Sequence, residues 1–132
     1  MQRELINLYQ TCFPEKDASA EIKALGDDFN FDILDDKSFI IFRMVSDEEM
    51  EIIDMGTLPE ARGQGLATQL LNSTIEDLKD IDIQTVYLEV AENNADALKL
   101  YQNCGFVKYN TRKGYYSVKG KKIDAILMKK SI

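Results

Sequence analysis

Apolar residues at the start of the chain recur at helical spacing. They follow the pattern i, i+3, i+4, i+7, i+8, which places side chains on one face of a helix. The residues in this pattern are Leu5, Leu8, Tyr9, Cys12 and Phe13. This first helix should end near Phe13, because the residue before a proline disfavours the helical conformation. A second, short helix is predicted over residues 17–25, with Gly26 behind it.

The next third of the chain has the pattern of strands joined by tight turns. Three apolar-rich segments are predicted as strands, at residues 29–34, 38–46 and 49–57. Between them, the short polar stretches 35–37 (DDK) and 46–48 (SDE) supply turn residues. Consecutive strands joined in this way predict an antiparallel meander.

The remainder of the chain alternates between helical and strand patterns. A helix packed on a sheet is predicted from residue 63 to residue 79. Its apolar stripe consists of Leu66, Leu70, Leu71, Ile75 and Leu78. A buried strand is predicted over 84–90, then a helix over 95–103 with Asn94 as its N-cap and Gly105 behind it. Strands over 106–111 and 122–129 close the chain, with a looser segment at 114–116 between them. The whole pattern predicts an α+β fold.

Length and composition limit the classes that this chain can belong to. At 132 residues, with 45% hydrophobic and 30% charged residues, it should form one globular domain over residues 1–132. No apolar run approaches the roughly 18 residues that a membrane span needs, and the charged N-terminus does not resemble a signal peptide. Cys12 and Cys104 lie far apart without CxxC spacing, which suggests reduced thiols, packed as core residues, in a cytoplasmic protein.

The chain contains no histidine. This excludes a histidine-based nucleophile system and any histidine-ligated zinc site within the chain, and no metal is expected. General acid or base chemistry therefore has to use a carboxylate, a tyrosine or a lysine.

Charge is distributed unevenly around the net value of −7. Residues 1–107 contain eight basic and 22 acidic residues, whereas residues 108–132 contain eight basic residues and one acidic residue. Such asymmetry favours a cationic partner for the acidic part, although a solvated surface with lysine-rich strands explains it equally well. The acidic balance argues against direct binding of nucleic acid.

A glycine-rich stretch, RGQGLA at residues 62–67, stands where a predicted strand gives way to a helix. A helix N-terminus leaves about four backbone N–H groups unpaired and carries a partial positive charge. Glycines in front of it let an anion approach the backbone, so the stretch is a candidate phosphate cradle, or else only a glycine-rich helix start. It matches neither the Walker A loop nor the dinucleotide-binding fingerprint.

The same stretch resembles the signature R/Q-x-x-G-x-G/A of the GNAT superfamily of N-acetyltransferases, at Arg62, Gly65 and Ala67. Downstream, the segment YLEVAENNADALKLYQNCGF is similar to the second half of that family's domain. The stretches TRKGYY and DAILM resemble its RimI-type branch, which acetylates the N-terminal amine of a small-subunit ribosomal protein. The resemblance is close from about residue 52 to residue 129.

The resemblance implies a GNAT fold, with a central mixed, mostly antiparallel sheet flanked by helices. That fold usually begins with a strand before its first helix, and no such strand is predicted here. An exposed sheet edge would then be covered by dimerisation, which makes a homodimer a further expectation.

The resemblance also implies acetyl-CoA as cosubstrate and suggests which residues hold it. Backbone amides around the pyrophosphate would come from Arg62, Gly63, Gln64, Gly65, Leu66, Ala67 and Thr68. The preceding strand, at Met55, Gly56 and Thr57, would pair with the pantetheine arm and offer an N–H to the thioester oxygen. Asn94 corresponds to a cofactor-contacting asparagine, although capping its own helix is an equally good role.

Two residues are candidates for proton transfer. In the 84–90 strand, alternation puts Val86, Leu88 and Val90 on one face and leaves Glu89 on the other with Tyr87. Glu89 is the candidate base, because a carboxylate in a mostly apolar strand needs a partner or a function, and it occupies the position of the base in RimI-type enzymes. The alternative is a partly exposed glutamate with a structural role. Tyr101, which also matches a cofactor-contacting tyrosine of the family, is the candidate acid for the leaving thiolate, and a tyrosine that only packs in the core is the alternative.

The resemblance favours a protein N-terminal α-amine as acceptor. The sequence departs from the RimI-type pattern at Ala91 and Ile123, and these two differences leave the identity of the acetylated protein open. Acetyl transfer to a small amine such as a polyamine or an aminoglycoside is the alternative within the enzyme class. A non-catalytic acyl-CoA-binding regulatory domain is the alternative outside it, although such a domain needs neither Glu89 nor Tyr101. Tyr115 and Tyr116 either line the mouth of the substrate site or pack as ordinary aromatic residues.

Overall fold

A computed structural model describes residues 2–132 of the chain. Its four α-helices are α1 (Gln2–Cys12), α2 (Ala18–Ala24), α3 (Leu66–Asp80) and α4 (Ala95–Asn103). Its six strands are β1 (Asn30–Leu34), β2 (Ser38–Ser46), β3 (Glu49–Thr57), β4 (Thr85–Ala91), β5 (Val107–Val118) and β6 (Lys121–Ser131). A short 3-10 helix, Pro59–Ala61, follows β3.

The six strands form a single sheet in the order β1-β2-β3-β4-β6-β5. The pair β3–β4 is parallel, because α3 carries the chain across the sheet between them, and the other four pairs are antiparallel. The predicted meander and the mixed, mostly antiparallel sheet are therefore confirmed. β1 and β5 are the two edges of the sheet, and the homodimer expected to cover an exposed edge stays a prediction.

Helices cover both faces of the sheet, and the alternation along β2 shows how. Ile40 and Phe42 point into the core formed with α3 and α4, whereas Phe39 and Ile41 point into the core formed with α1 and α2. On β4, residues 86, 88 and 90 are buried in the α3–α4 core, as the alternation predicted, and Glu89 lies on the opposite face. Within residues 2–132, no helix combines the length and the apolar character needed to cross a membrane.

Two predicted boundaries were wrong for local reasons. The 63–79 helix begins only at Leu66, because Gly63 and Gly65 have left-handed φ angles of 78° and 80°, which a helix does not contain. The looser segment at 114–116 lies inside β5, which continues to Val118. The register of β5 against β6 shifts between Arg112 and Tyr116, so the glycine is accommodated as a bulge rather than as a loop.

A bulge in β3 separates the ends of β3 and β4 from each other. In the pairing with β2, Ile41 opposes Asp54 while Phe42 opposes Ile52, so Ile53 is an extra residue. The last β3–β4 pair is Ile52 with Leu88. Because a bulge bends its strand, β3 and β4 continue without pairing with each other, to residues 57 and 91. We call the space between residues 53–57 and residues 89–91 the β3–β4 gap.

Replacing Gly56 by alanine should destabilise the fold. A Cβ added at Gly56 would lie 2.5 Å from Phe39 Cε1 and 3.3 Å from Cys12 Cβ, and the Phe39 side chain is fully buried. Overpacking of this kind costs about 1–3 kcal/mol, to be measured by urea unfolding. The same substitution in a Phe39→Leu background should cost less, because the shorter side chain leaves room; equal costs in the two backgrounds would contradict this explanation.

Candidate active site

The glycine-rich stretch forms an open cradle in front of α3. Gly65 is the N-cap of α3 and makes no side-chain capping bond, and the first hydrogen bond of the helix runs from Gln69 N to Gly65 O, 3.0 Å. The backbone N–H groups of the first turn are therefore not used by the helix itself. A Cβ added at Gly63 or Gly65 would meet no atom within 4 Å, so there is room beside both for a ligand.

Side-chain hydrogen bonds hold the cradle at the end of β3. Arg62 Nε donates to the carbonyl oxygen of Thr57 at 3.1 Å, across the 3-10 turn. On the other side of β3, the fully buried Ser38 hydroxyl donates to the carbonyl oxygen of Gly56 at 3.1 Å and lies 2.9 Å from Thr57 Oγ1. These bonds fix residues 55–57 and the cradle relative to each other, and their role in holding acetyl-CoA stays a prediction.

Glu89 lies on β4 just beyond its last pair with β3. Its Oε1 is 3.5 Å from Arg112 Nε, and its Oε2 accepts a hydrogen bond from the Tyr116 hydroxyl at 3.2 Å. The Arg112 guanidinium also lies over the ring of Tyr115, 5.2 Å from the ring centre. The side chain of Glu89 remains 30% exposed, so a substrate can reach it.

Tyr116 remains a hydrogen-bond donor over the whole working pH range. Partial burial, followed by the nearby charge of Glu89 and the hydrogen bond to it, raises the pKa of Tyr116 to about 12. Its hydroxyl therefore donates to the Glu89 side chain and orients it. Neither Tyr116 nor Arg112 was predicted to contact Glu89; the only sequence signal was the TRKGYY stretch, for which the substrate mouth or ordinary packing was expected.

Tyr101 is buried on α4, in the α3–α4 core, with its ring edge-on to Phe106 at a centroid distance of 5.8 Å. Burial first, and then the charge of Asp54 and the neighbouring Cys104, raise the pKa of Tyr101 well above its ordinary value. The hydroxyl is thus protonated at neutral pH and lies close enough to Asp54 of β3 to sense its charge. Tyr101 and Glu89 are on opposite faces of the sheet, with the β3–β4 gap between them.

Asn94 is the N-cap of α4, which confirms one of its two predicted roles. Its side-chain oxygen accepts a hydrogen bond from Ala97 N at 3.2 Å. This bond accounts for the asparagine at the start of the helix. The second role, contact with a cofactor, stays a prediction.

One pair at the gap was missed by the sequence analysis. Asp54 of β3 accepts a hydrogen bond from the Tyr9 hydroxyl of α1 at 3.0 Å, across 45 positions of sequence. Burial raises the pKa of Asp54 despite this hydrogen bond, and burial together with Asp54 raises the pKa of Tyr9. The only signal in the sequence was a carboxylate following two isoleucines inside a predicted strand.

Comparisons with known proteins identify a family that has this fold. Residues 3–106 match the model of the Acetyltransferase (GNAT) family. The chain therefore belongs to the GNAT family of acetyltransferases.

Three similar proteins refine this assignment. The [Ribosomal protein bS18]-alanine N-acetyltransferase of Escherichia coli K12 is 34% identical over 91 residues, which cover 69% of this chain and 61% of that enzyme. The match thus spans less than two thirds of the length of that relative. The crystal structure of the Escherichia coli ribosomal-protein-S18-alanine N-acetyltransferase superposes with a TM-score of 0.83 and 25% identity, covering 98% of this chain and 86% of that one. A Bacillus subtilis acetyltransferase solved in complex with CoA shares the fold, with a TM-score of 0.76, 17% identity and coverage of 96% and 91%.

Proposed function

We propose that this chain is an acetyl-CoA-dependent N-acetyltransferase whose acceptor is a protein N-terminal α-amine. The β3–β4 gap carries the proposal, because two adjacent strands that stop pairing present open backbone groups to an extended ligand. The gap is flanked by Glu89 on one face of the sheet and by Tyr101 on the other. A base and an acid on either side of one opening suit a transfer that takes a proton from the amine and returns one to the thiolate.

The cradle and the strand end suit acetyl-CoA, which supplies the acetyl group as a thioester. The uncapped amides of residues 66–68 and the open space beside Gly63 and Gly65 accept a pyrophosphate at a helix N-terminus. Residues 55–57 of β3 offer backbone groups to the pantetheine arm, and Gly56 or Thr57 offers an N–H group to the thioester oxygen, because the Met55 N–H donates to Asp54 Oδ1. The Bacillus subtilis acetyltransferase solved with CoA supports this use of the fold.

Glu89 acts as general base on the acceptor. An α-amine has a pKa near 8, so roughly a tenth of it is already neutral at pH 7, against less than about a thousandth of a lysine side chain. A partly exposed carboxylate held by Arg112 and Tyr116 is therefore sufficient for an α-amine. Tyr101, protonated and buried on the opposite face, donates its proton to the departing thiolate and recovers it from solvent.

The choice of acceptor is supported by the similarity to an enzyme named for the N-acetylation of an alanine of ribosomal protein bS18. The exposed ring of Tyr115 and the guanidinium of Arg112, which lies over it beside Glu89, also offer contacts that suit a peptide. Acetylation of small amines alone, or binding of CoA without turnover, are the outcomes that would replace this proposal.

Replacing Glu89 by glutamine should lower kcat/KM for a peptide α-amine by about ten- to a hundredfold at pH 7. The loss should shrink as the pH approaches 9, because the amine is then largely neutral without a base. Initial rates of thiol release from acetyl-CoA, measured from pH 6.5 to 9.5, give both quantities.

The matched control is Glu76→Gln, which removes the same charge from an exposed position on α3, where Glu76 pairs with Lys79. Its pH profile should coincide with that of the parent. A Glu89→Gln profile that runs parallel to the parent at every pH would exclude Glu89 as the base.

A further inference from the structure

Asp54 is a partly buried carboxylate at the β3–β4 gap that neither the cradle nor the proton-transfer pair uses. It follows the bulged Ile53 and precedes Met55, whose backbone N–H is 2.9 Å from Asp54 Oδ1. Its Oδ2 accepts the Tyr9 hydroxyl at 3.0 Å. One hydrogen bond to each oxygen therefore holds the carboxylate in one orientation.

Among residues 2–132, Asp54 has hydrogen-bond donors but no cationic side chain within 4.0 Å, and Lys16 acts on it only from a greater distance. Within residues 2–132, ion pairs closer than 4.0 Å join Glu76, Glu89 and Asp124 to lysine or arginine side chains, and none involves Asp54. A desolvated carboxylate without a counter-ion destabilises the fold. Burial accordingly raises the pKa of Asp54. Groups whose pKa values are perturbed in this way cluster at functional sites.

The position of Asp54 indicates which positive charge its carboxylate meets. Asp54 lies one residue from Met55, at the strand end proposed to contact the thioester, and close enough to Tyr101 to raise the pKa of that hydroxyl. It is therefore next to the place where bond formation is proposed. The molecule that has to bring a positive charge to this place is the acceptor, which arrives as an ammonium ion.

We propose that the Asp54 carboxylate, held by the Tyr9 hydroxyl and the Met55 amide, is the counter-ion that binds the ammonium group of the acceptor. This inference rests on the proposed function and adds a specificity determinant to it, namely selection for cationic primary amines. Asp54 binds and orients the acceptor before Glu89 removes its proton. No covalent step is assigned to Asp54.

The charged and titratable groups around Asp54 come from three elements and one loop. They are Tyr9 and Cys12 of α1, Lys16 of the α1–α2 loop, Glu21 of α2 and Tyr101 of α4. Lys16 favours the ionised carboxylate and Glu21 disfavours it. Since burial outweighs the other contributions, Asp54 binds protons more readily than a free aspartate, and acceptor binding should weaken as the pH falls through its raised pKa.

The first test measures peptide binding without turnover. A hexapeptide with a free N-terminal alanine is titrated calorimetrically into protein saturated with CoA, which has no acetyl group to transfer. Asp54→Asn keeps the size of the side chain and should raise the Kd of this peptide about 10- to 100-fold. A peptide that carries propionyl in place of alanyl lacks the amine and should bind the parent and the variant equally weakly.

The second test separates this role from a structural one. Because the ionised Asp54 is disfavoured in the folded state, it subtracts stability as the pH rises through its raised pKa, and a neutral asparagine avoids this loss. Asp54→Asn should therefore melt at the same temperature as the parent or above it at pH 7, in the absence of ligand. A carboxylate with a merely structural role predicts a lower Tm for the same variant.

Asp77→Asn, an exposed change on α3, is the control and should leave the Kd and Tm unchanged. Equal affinity of the parent for the alanyl and propionyl peptides, or an Asp54→Asn variant that binds the alanyl peptide like the parent, would overturn the assignment. Tight alanyl-peptide binding without acetyl transfer would contradict the proposed enzyme activity and leave the Asp54 assignment intact.

Discussion

Replacing Tyr101 by phenylalanine should lower kcat by about 10² to 10⁴ and leave the affinity for acetyl-CoA nearly unchanged. The variant removes one hydroxyl and keeps the ring, so the edge-on packing against Phe106 should survive. A proton donor to the leaving thiolate acts mainly in the transition state, and its loss therefore affects kcat rather than ground-state binding. Initial rates at saturating acetyl-CoA and peptide, together with calorimetric titration of acetyl-CoA, measure the two quantities.

A melting curve of the same variant provides the control. A tyrosine that only fills the α3–α4 core predicts a near-normal kcat with a shifted Tm, because the loss of a buried hydroxyl changes packing and solvation alone. Turnover within threefold of the parent would show that Tyr101 is not the acid.

Replacing Gly65 by valine should weaken acetyl-CoA binding at least about tenfold. Gly65 has φ 80° at the N-cap of α3, where a β-branched residue is strained, and a side chain would fill the space beside the uncapped amides. The loss of one or two charge-assisted hydrogen bonds to the pyrophosphate, at roughly 1.5–3 kcal/mol each, accounts for this magnitude. Calorimetric titration of acetyl-CoA into the folded variant measures it.

Gly120 offers a matched control for the backbone strain. It has φ 79° in the turn between β5 and β6, and a Cβ added there would also meet no atom within 4 Å. Gly120→Val therefore introduces similar strain far from the cradle in sequence and should keep the parent's affinity for acetyl-CoA. Equal losses in both variants would mean that strain, rather than the cradle, explains the effect.

Local patterns in the sequence were sufficient for much of this fold. The helical spacing in residues 5–13 predicts one buried face of α1, and the alternation in residues 86–90 predicts one buried face of β4. Both faces are buried in the structure. The open helix start at Gly63 and Gly65 could be predicted because glycines at a strand-to-helix junction leave room beside the backbone, and its use as a phosphate cradle stays a prediction. The α+β fold and the family assignment followed from these segments and from the resemblance.

The gap between β3 and β4 could not be predicted in the same way. It depends on the extra residue Ile53, and a bulge is visible only as a register shift against a partner strand. The pair of Tyr9 and Asp54 joins positions 45 residues apart, for which one sequence offers no pattern. Likewise, the strand β5 continues through Gly114 because β6 pairs on both sides of it, which no local propensity indicates.

The most direct test of the proposed function is a single acetyl-transfer reaction analysed by mass spectrometry. The full chain is incubated with acetyl-CoA and two forms of one peptide, which begin with a free or a formylated N-terminal alanine and contain one internal lysine. Transfer to the α-amine predicts one added acetyl group on the first residue of the free peptide and none on the formylated one. Acetylation of the lysine in both peptides, or an unmodified free peptide under conditions in which the protein binds acetyl-CoA, would contradict the account.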